Sequence, residues 1–297
     1  MNELDHTHIL TNTTEELAKS ESFRELFHQQ RNGELLPSLD DLVKIIELAR
    51  ATLFPGYFGH SCVNPSTLKY HIGVNIEKLY NRLKKQILAG LCFIKCSNTP
   101  IDCMEKIRYD AGNIAALFIE KLPEIRQVLA TDVKAAYEAD PAAESISEVI
   151  LCYPAIRAIC NYRIAHQLLK LGVPIIPRII TEMAHSETGI DIHPGAKIGT
   201  HFTIDHGTGV VIGATAIIGN NVKLYQGVTL GAKSFPLDEN GQPIKGIDRH
   251  PIIEDNVIIY SNATVLGRIH IGKGSIVGAN IWITEDVPAG TKLFQKK

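Results

Sequence analysis

The sequence predicts an α+β chain, an N-terminal all-helical domain followed by a left-handed parallel β-helix of hexapeptide repeats. Three observations predict it. From Ile192 an aliphatic residue returns every sixth position, in the runs Ile192–Ile198–Ile204, Ile212–Ile218–Leu224–Leu230 and Ile253–Ile259–Val265–Ile271–Val277–Ile283. Small or aliphatic residues recur four places later (Ala196, Ala216, Val222, Val228, Val257, Ala263), and glycine often follows the aliphatic position, as in Gly199, Gly213 and Gly219. A period of six suits neither an amphipathic helix nor a lone alternating strand; it suits short sides of a triangular coil stacked about 4.8 Å apart. Before this region apolar residues keep helical spacing instead, which divides the chain into residues 1–186 and 187–297.

The helical part is read from its caps and breaks. Thr13-Thr14-Glu15-Glu16 opens a helix expected to run to Arg31 and stop at Asn32-Gly33, and Ser38-Leu39-Asp40-Asp41 opens another with Leu42, Ile45, Ile46 and Ala49 on one face. Phe54-Pro55-Gly56-Tyr57 ends it. Further helices are expected over Pro65–Leu91, Ile101–Lys121, Glu124–Ala139, Ser145–Lys170 and Pro177–His185. Asp140, followed by Pro141, has the character of an N-cap. His60, His71, His166 and His185 show no evident partners and read as structural or surface residues.

In the repeat, the six-residue count fails twice. The step from Ile204 to Ile212 is eight, through Asp205-His206-Gly207-Thr208-Gly209, and between Leu230 and Ile253 the pattern gives way to a long insertion, 232–250, ending in Asp248-Arg249-His250-Pro251. A solenoid accommodates insertions only as loops leaving one face, often the binding face. A coil of about eighteen residues returns Asp191 beneath His206. A carboxylate on one imidazole nitrogen fixes the tautomer and leaves the other free to accept a proton, which suits a base acting on a hydroxyl. A coil-edge histidine among solvated acids is the equally open alternative. Arg249 offers a planar fork suited to a carboxylate.

Composition narrows the function classes. The net charge of −2 over 297 residues gives no basis for bulk nucleic-acid or membrane binding. The acidic, polar start Met1-Asn2-Glu3-Leu4-Asp5 is unlike a signal peptide, and no stretch reaches the ~18 apolar residues of a membrane span, so a cytoplasmic location is expected. Six cysteines (Cys62, Cys92, Cys96, Cys103, Cys152, Cys160) precede the repeat without zinc spacing and read as free buried thiols.

These motifs carry a resemblance. Asp191-Ile192-His193-Pro194-Gly195-Ala196, Asp205-His206-Gly207-Thr208-Gly209, Gly227-Val228-Thr229-Leu230-Gly231 and Asp248-Arg249-His250-Pro251, with the lead-in Asp140-Pro141 and Tyr162-Arg163-Ile164-Ala165-His166, resemble serine O-acetyltransferase, over roughly residues 140–288. The resemblance implies acetyl transfer from acetyl-CoA to the hydroxyl of L-serine, giving O-acetylserine for cysteine biosynthesis. It implies direct transfer, without an acyl-enzyme and without a metal. His206 would be the general base and Asp191 its orienting partner; Asp140 and Asp205 would hold the substrate ammonium, with Arg249 and His250 at its carboxylate. Acetyl-CoA would lie between neighbouring subunits against Gly231, Ala232, Ser261, Gly278 and Ala279, where a backbone N–H near Ala232 would face the oxyanion. A trimer of β-helices is implied, joined by the helical domain into a dimer of trimers, with cysteine as a feedback inhibitor.

Two features depart from the family's commonest pattern. The link from Ala232 to Ile247 is long, and the chain ends in lysines where relatives carry a terminal isoleucine that docks into O-acetylserine sulfhydrylase. A stable complex with that enzyme is therefore not expected. Competing readings are a same-fold acyltransferase for another hydroxyl or amine, a β-helical zinc carbonic anhydrase using His201 and His206, and a noncatalytic scaffold.

Overall fold

The computed structural model describes residues 6–28, 35–59, 63–95, 101–234 and 236–295. Met1–Leu35 forms one compact unit and Leu36–Lys297 a second. The first holds α1 (His6–Leu17) and α2 (Ser20–Phe23), in place of the single helix expected from Thr13 to Arg31. Thr14 does not open a helix: its hydroxyl donates to the Leu10 carbonyl at 2.8 Å, from within a turn already formed. The expected stop at Asn32-Gly33, like His60, lies outside the described residues.

The second unit begins with α3 (Leu39–Leu53). Ser38 caps it, its hydroxyl accepting the Asp41 N–H at 3.3 Å, and Leu42, Ile45, Ile46 and Ala49 are buried on the expected face. Next come α4 (Leu68–Lys95) and α5 (Ile101–Ala139). The break expected at Pro123 does not occur, since α5 runs through it. An interior proline costs ~3 kcal/mol or more, whereas Phe118, Leu122, Ile125 and Leu129 are buried on both sides of it at ~1.5–3 kcal/mol each, so packing holds the helix together. The reverse happens downstream. The helix expected over Ser145–Lys170 splits into α6 (Ile146–Cys152) and α7 (Pro154–Lys170), because Tyr153 takes the extended conformation favoured before proline. α8 (Ile176–Thr188) ends on Gly189 in the left-handed conformation, φ +69°.

The coils follow as expected. Their strands are β1 (Asp191–Ile192), β2 (Lys197–Ile198), β3 (Thr203–Asp205), β4 (Val211–Ile212), β5 (Ile217–Ile218), β6 (Lys223–Tyr225), β7 (Thr229–Gly231), β8 (Ile252–Ile253), β9 (Ile258–Ile259), β10 (Thr264–Leu266), β11 (His270–Ile271), β12 (Ile276–Val277), β13 (Trp282–Ile283) and β14 (Lys292–Leu293). They stack into three parallel sheets, the first β1-β4-β7-β10-β13, the second β2-β5-β8-β11 and the third β3-β6-β9-β12-β14. Regular partners lie eighteen positions apart, as Val211 with Thr229 and Thr264 with Trp282. Across the first break Asp191 pairs with Val211, twenty positions on, and across the second Ile217 pairs with Ile252, thirty-five on. Both insertions therefore leave the stack intact and project from its corners.

A buried polar clamp fastens the helices to the first coil. Arg163 grips Asp132 through two hydrogen bonds of 3.1 Å and donates to the carbonyls of Ile198 and Gly199 at 2.6 Å, while the other Asp132 donor is the Phe202 N–H at 3.0 Å. Burial pushes the Asp132 carboxyl upward, against the pull of Arg163. Tyr162 donates to the Ala196 carbonyl at 2.7 Å and His166 Nδ1–H to that of Pro194 at 2.8 Å, so His166 does have a partner. Of the cysteines, Cys92, Cys152 and Cys160 form no disulfide; Cys152 is exposed, and burial pushes the Cys160 thiol up to about 11. Cys62 and Cys96 and the side chain of Cys103 lie outside the described residues.

Candidate functional site

The first break places His206 at the corner between the third and first sheets. In later coils this corner is closed by a residue at positive φ: Gly227 (+71°), Asn262 (+58°) and Asn280 (+57°), with Gly209 (+80°) in line below them. His206 (+59°) and Gly207 (+95°) come before Gly209 and are the two extra residues. A non-glycine residue at positive φ carries strain, and here the inserted turn lifts the imidazole off the coil, leaving it 74% exposed. Only glycine fits next, since a Cβ on Gly207 would meet Ile190 Cδ1 at 2.5 Å.

Around this imidazole stands an acidic cluster. Asp205 Oδ1 lies 3.8 Å from His206 Nε2. Asp140 follows the last residue of α5 and is no N-cap: its Oδ1 accepts the Ala142 N–H at 2.8 Å in a local turn, and its Oδ2 accepts the Tyr153 hydroxyl. Pro141 fixes that turn instead of opening a helix. The Tyr153 bond, with the Ala142 N–H, holds the Asp140 carboxyl below the usual range, and the same bond, aided by burial, pushes Tyr153 up to about 12. Lys223 completes the group, its ammonium 3.1 Å from Asp205 Oδ2 and 2.9 Å from the Ala139 carbonyl. Asp140, Tyr153, Asp205 and Lys223 line one small cavity between α5 and the coil.

The second cluster occupies the corner between the first and second sheets. His250, 7% exposed, packs directly against Gly213, and its Nδ1 accepts the Thr215 N–H at 3.1 Å with the Thr215 hydroxyl at 2.8 Å. Because a backbone N–H donates to Nδ1, a neutral ring carries its proton on Nε2. Burial, then the Arg249 and His193 charges, depresses His250 to about 4, so the ring is neutral near pH 7. Arg249 is adjacent, its N–H donating to Thr215 Oγ1 at 3.0 Å, and Arg268 ties Asp248, Thr215 and the His250 carbonyl together. Burial likewise lowers His193.

Asp191 lies between the clusters. It opens β1 directly after Ile190, the residue over which Gly207 closes, so stacking does carry it to the first break. Its carboxylate nevertheless meets Arg178 at 3.9 Å and is grouped with Glu182 and His185; no hydrogen bond or ion pair joins it to His206 within the chain. Glu182, His185 and Asp191 form the one group of potential metal ligands among the described residues, and it contains neither His201 nor His206. Those two histidines sit at different corners, so they form no zinc pair within one chain.

The residues matched to acetyl-CoA fall on both edges of the first sheet. Ser261 and Ala279 continue the His206 corner upward, with Asn280 N–H bonded to the Ser261 carbonyl at 2.9 Å, whereas Gly231 ends β7 and Ala232 follows it at the His250 corner. Gly278 is needed small by the chain itself, since a Cβ there would lie 2.9 Å from the Leu293 carbonyl and the Phe294 ring. Tyr153 and Lys223 escape a sequence reading. Lys223 occupies an outward place in the repeat, where any solvated residue fits; the Tyr153-Pro154 step was the available signal for the other.

No protein-family model matches the chain. It is 51% identical over 261 residues to the plasmid serine acetyltransferase of Synechococcus elongatus, covering 88% of this chain and 82% of that protein. It is 49% identical over 162 residues to the serine acetyltransferase of Bacillus licheniformis, covering 54% and 71%. Among solved structures, it is similar to Entamoeba histolytica serine acetyltransferase 1 in complex with L-cysteine, with TM-score 0.72, 35% identity and coverage of 97% and 100%. The Neisseria gonorrhoeae serine acetyltransferase in complex with serine matches with TM-score 0.55 and 28% identity, covering 87% and 96%.

Proposed function

The chain belongs to the serine acetyltransferase family, and from that premise we propose how its residues divide the work. The enzyme is an acyltransferase, a serine O-acetyltransferase that uses acetyl-CoA as co-substrate and serves cysteine biosynthesis. One observation carries the site assignment: a two-residue insertion holds an exposed imidazole beside two carboxylates, Asp205 and Asp140. The carboxylates receive the ammonium of L-serine, which brings its hydroxyl to His206. His206 accepts the hydroxyl proton as the oxygen attacks the thioester carbonyl carbon. The resulting oxyanion collapses, the carbon–sulfur bond breaks, and the CoA thiolate takes the proton from the imidazolium. Asp191 is assigned to orient the ring.

Arg249 and the Nε2–H of neutral His250 suit the substrate carboxylate, yet they stand at the other corner of the first sheet. A three-fold assembly puts unlike corners of successive chains face to face, so each complete site takes His206 from one chain and Arg249 and His250 from the next. Acetyl-CoA then lies in the same groove, along Ser261, Gly278 and Ala279 of one chain and Gly231 and Ala232 of the other. The assembly is a trimer, and pairing of trimers through the helices gives the hexamer. The Entamoeba relative is described with L-cysteine bound; cysteine shares the ammonium and carboxylate of serine and occupies the same pocket here as an inhibitor. The enzyme works in the cytoplasm.

The test is thiol release from acetyl-CoA with serine, homoserine and threonine as acceptors. Serine is expected to be strongly preferred; activity with another acceptor and none with serine refutes the substrate assignment.

A further inference from the structure

Resting on this reading of the acceptor pocket, one residue calls for a role of its own. Lys223 projects from β6 into the cluster with its side chain only 15% exposed. Its ammonium has three partners: Asp205 Oδ2 at 3.1 Å, the Ala139 carbonyl at 2.9 Å, and the face of Tyr225 at 4.6 Å from the ring centre. Ala139 is the last residue of α5, a helix with no basic residue in its last turn, so Lys223 supplies from the coil the cation that a helix C-terminus favours. Asp140 follows immediately. One side chain thus joins the element carrying Asp140 to the carboxylate of Asp205.

We propose that Lys223 is the internal counter-ion of the acceptor pocket, a positioning residue that fixes Asp140 relative to Asp205 and cancels one of their two charges. The pocket is left with one net negative charge for the single ammonium of the acceptor. The charged and titratable groups at His206 are then Asp205 from β3 and Asp140 after α5, with Tyr153 before α7 bonded to Asp140 and Lys223 to Asp205, while the Asp191 carboxylate in β1 turns to Arg178. Burial would lower the Lys223 ammonium, but its bonds to Tyr225 and Asp205 outweigh that and keep it charged.

Two variants test this. Lys223→Gln keeps a donor for Asp205 and Ala139 without the charge, and Lys223→Arg keeps the charge. With two uncompensated carboxylates the imidazolium is favoured, so the acid limb of kcat/KM against pH should rise by about 0.5–1 unit in Lys223→Gln and return in Lys223→Arg. Calorimetric titration with serine alone should show roughly 3- to 10-fold tighter binding to Lys223→Gln, and the KM for acetyl-CoA should stay within about two-fold. An unmoved pH profile with unchanged or weaker serine binding overturns the proposal, whatever the melting temperature does. Failure of the underlying reading is separate: a His206→Ala enzyme that still turns over removes the base, while the serine titration still reports on Lys223.

Discussion

Gly213→Ala places one methyl group against the ring of His250. Gly213 does not adopt a positive φ, so the backbone tolerates alanine and only the new contact matters. The added Cβ would lie 2.0 Å from His250 Cδ2 and 2.1 Å from Nε2. Non-bonded carbons rest about 3.5–4.0 Å apart, so the ring must retreat by about 1.5 Å or more. It cannot do so in place, because Nδ1 is held by the Thr215 N–H at 3.1 Å and the Thr215 hydroxyl at 2.8 Å. Overpacking costs about 1–3 kcal/mol and each of the two lost hydrogen bonds about 0.5–1.5 kcal/mol, so a loss of roughly 2–6 kcal/mol in stability is expected.

If His250 Nε2–H meets the serine carboxylate, that displacement also reaches catalysis. A misplaced donor worth about 1.4–2.8 kcal/mol raises the serine KM roughly 10- to 100-fold, while the acetyl-CoA KM changes by less than about two-fold. The assays are thiol release at varied serine and a thermal melt. His250→Asn separates the two effects, because an amide oxygen can take over from Nδ1 while the distal N–H is gone. It should raise the serine KM with a smaller loss of melting temperature. A Gly213→Ala enzyme that melts lower but keeps its serine KM would refute the contact between His250 and substrate; one unchanged in both would refute the ring's position.

His206→Ala should lose ~10²- to 10⁴-fold in kcat with its melting temperature nearly unchanged, since an exposed side chain packs against little; near-normal turnover would sink the assignment. Stability should fall in acid: His250 is depressed to about 4, and burial lowers His166 and His193 too. Their contribution is present above the unfolded pKa near 6.5 and lost as pH drops toward 4, where the unfolded chain binds protons that the native rings refuse. Melts from pH 7 to 4 read this, and His250→Asn should flatten part of the slope. Arg163→Met strands a buried Asp132 carboxylate and should cost about 3–5 kcal/mol, read by denaturant unfolding; a cost under about 1 kcal/mol would mean the clamp is ornamental. Co-expressed His206→Ala and Arg249→Ala chains, each inactive alone, should recover up to roughly a quarter of the activity in mixed trimers if sites are shared, and none if each chain holds its own.

How much of this could be read from sequence depended on how a residue's partners are spaced along the chain. The coil was legible because its core positions recur at one interval, and both insertions stood out as failures of that interval. Caps such as Ser38 were legible because their partners lie within one turn. Pro123 misled, because the burial of Phe118, Leu122, Ile125 and Leu129 that overrides it is a tertiary effect invisible to local propensity. Asp140 misled for a related reason: an aspartate before proline suits a tight turn as well as an N-cap, and the choice is made by Tyr153, thirteen residues on. Lys223 left no trace, since its partners come from β3 and from the end of α5.

The same spacing argument explains why the proposed site is divided. A triangular coil gives each insertion a corner, and two corners of one rigid post cannot close on each other. His206 and the acids stand at one edge of the first sheet, Arg249 and His250 at the other, with the outward residues Val211 and Thr229 between them. Bending the post would break registered ladders in all three sheets, so flexibility within the chain offers no route to a closed site. A second copy does, because a heterologous contact joins unlike edges without deforming either. The helical half then reaches the site at the end of α5, where Asp140 is brought to the coil and Lys223 holds the neighbouring Ala139 carbonyl. On the proposed reading, selection for an amino acid, with its two opposite charges, needs both edges at once, and the assembly then belongs to the active site's chemistry.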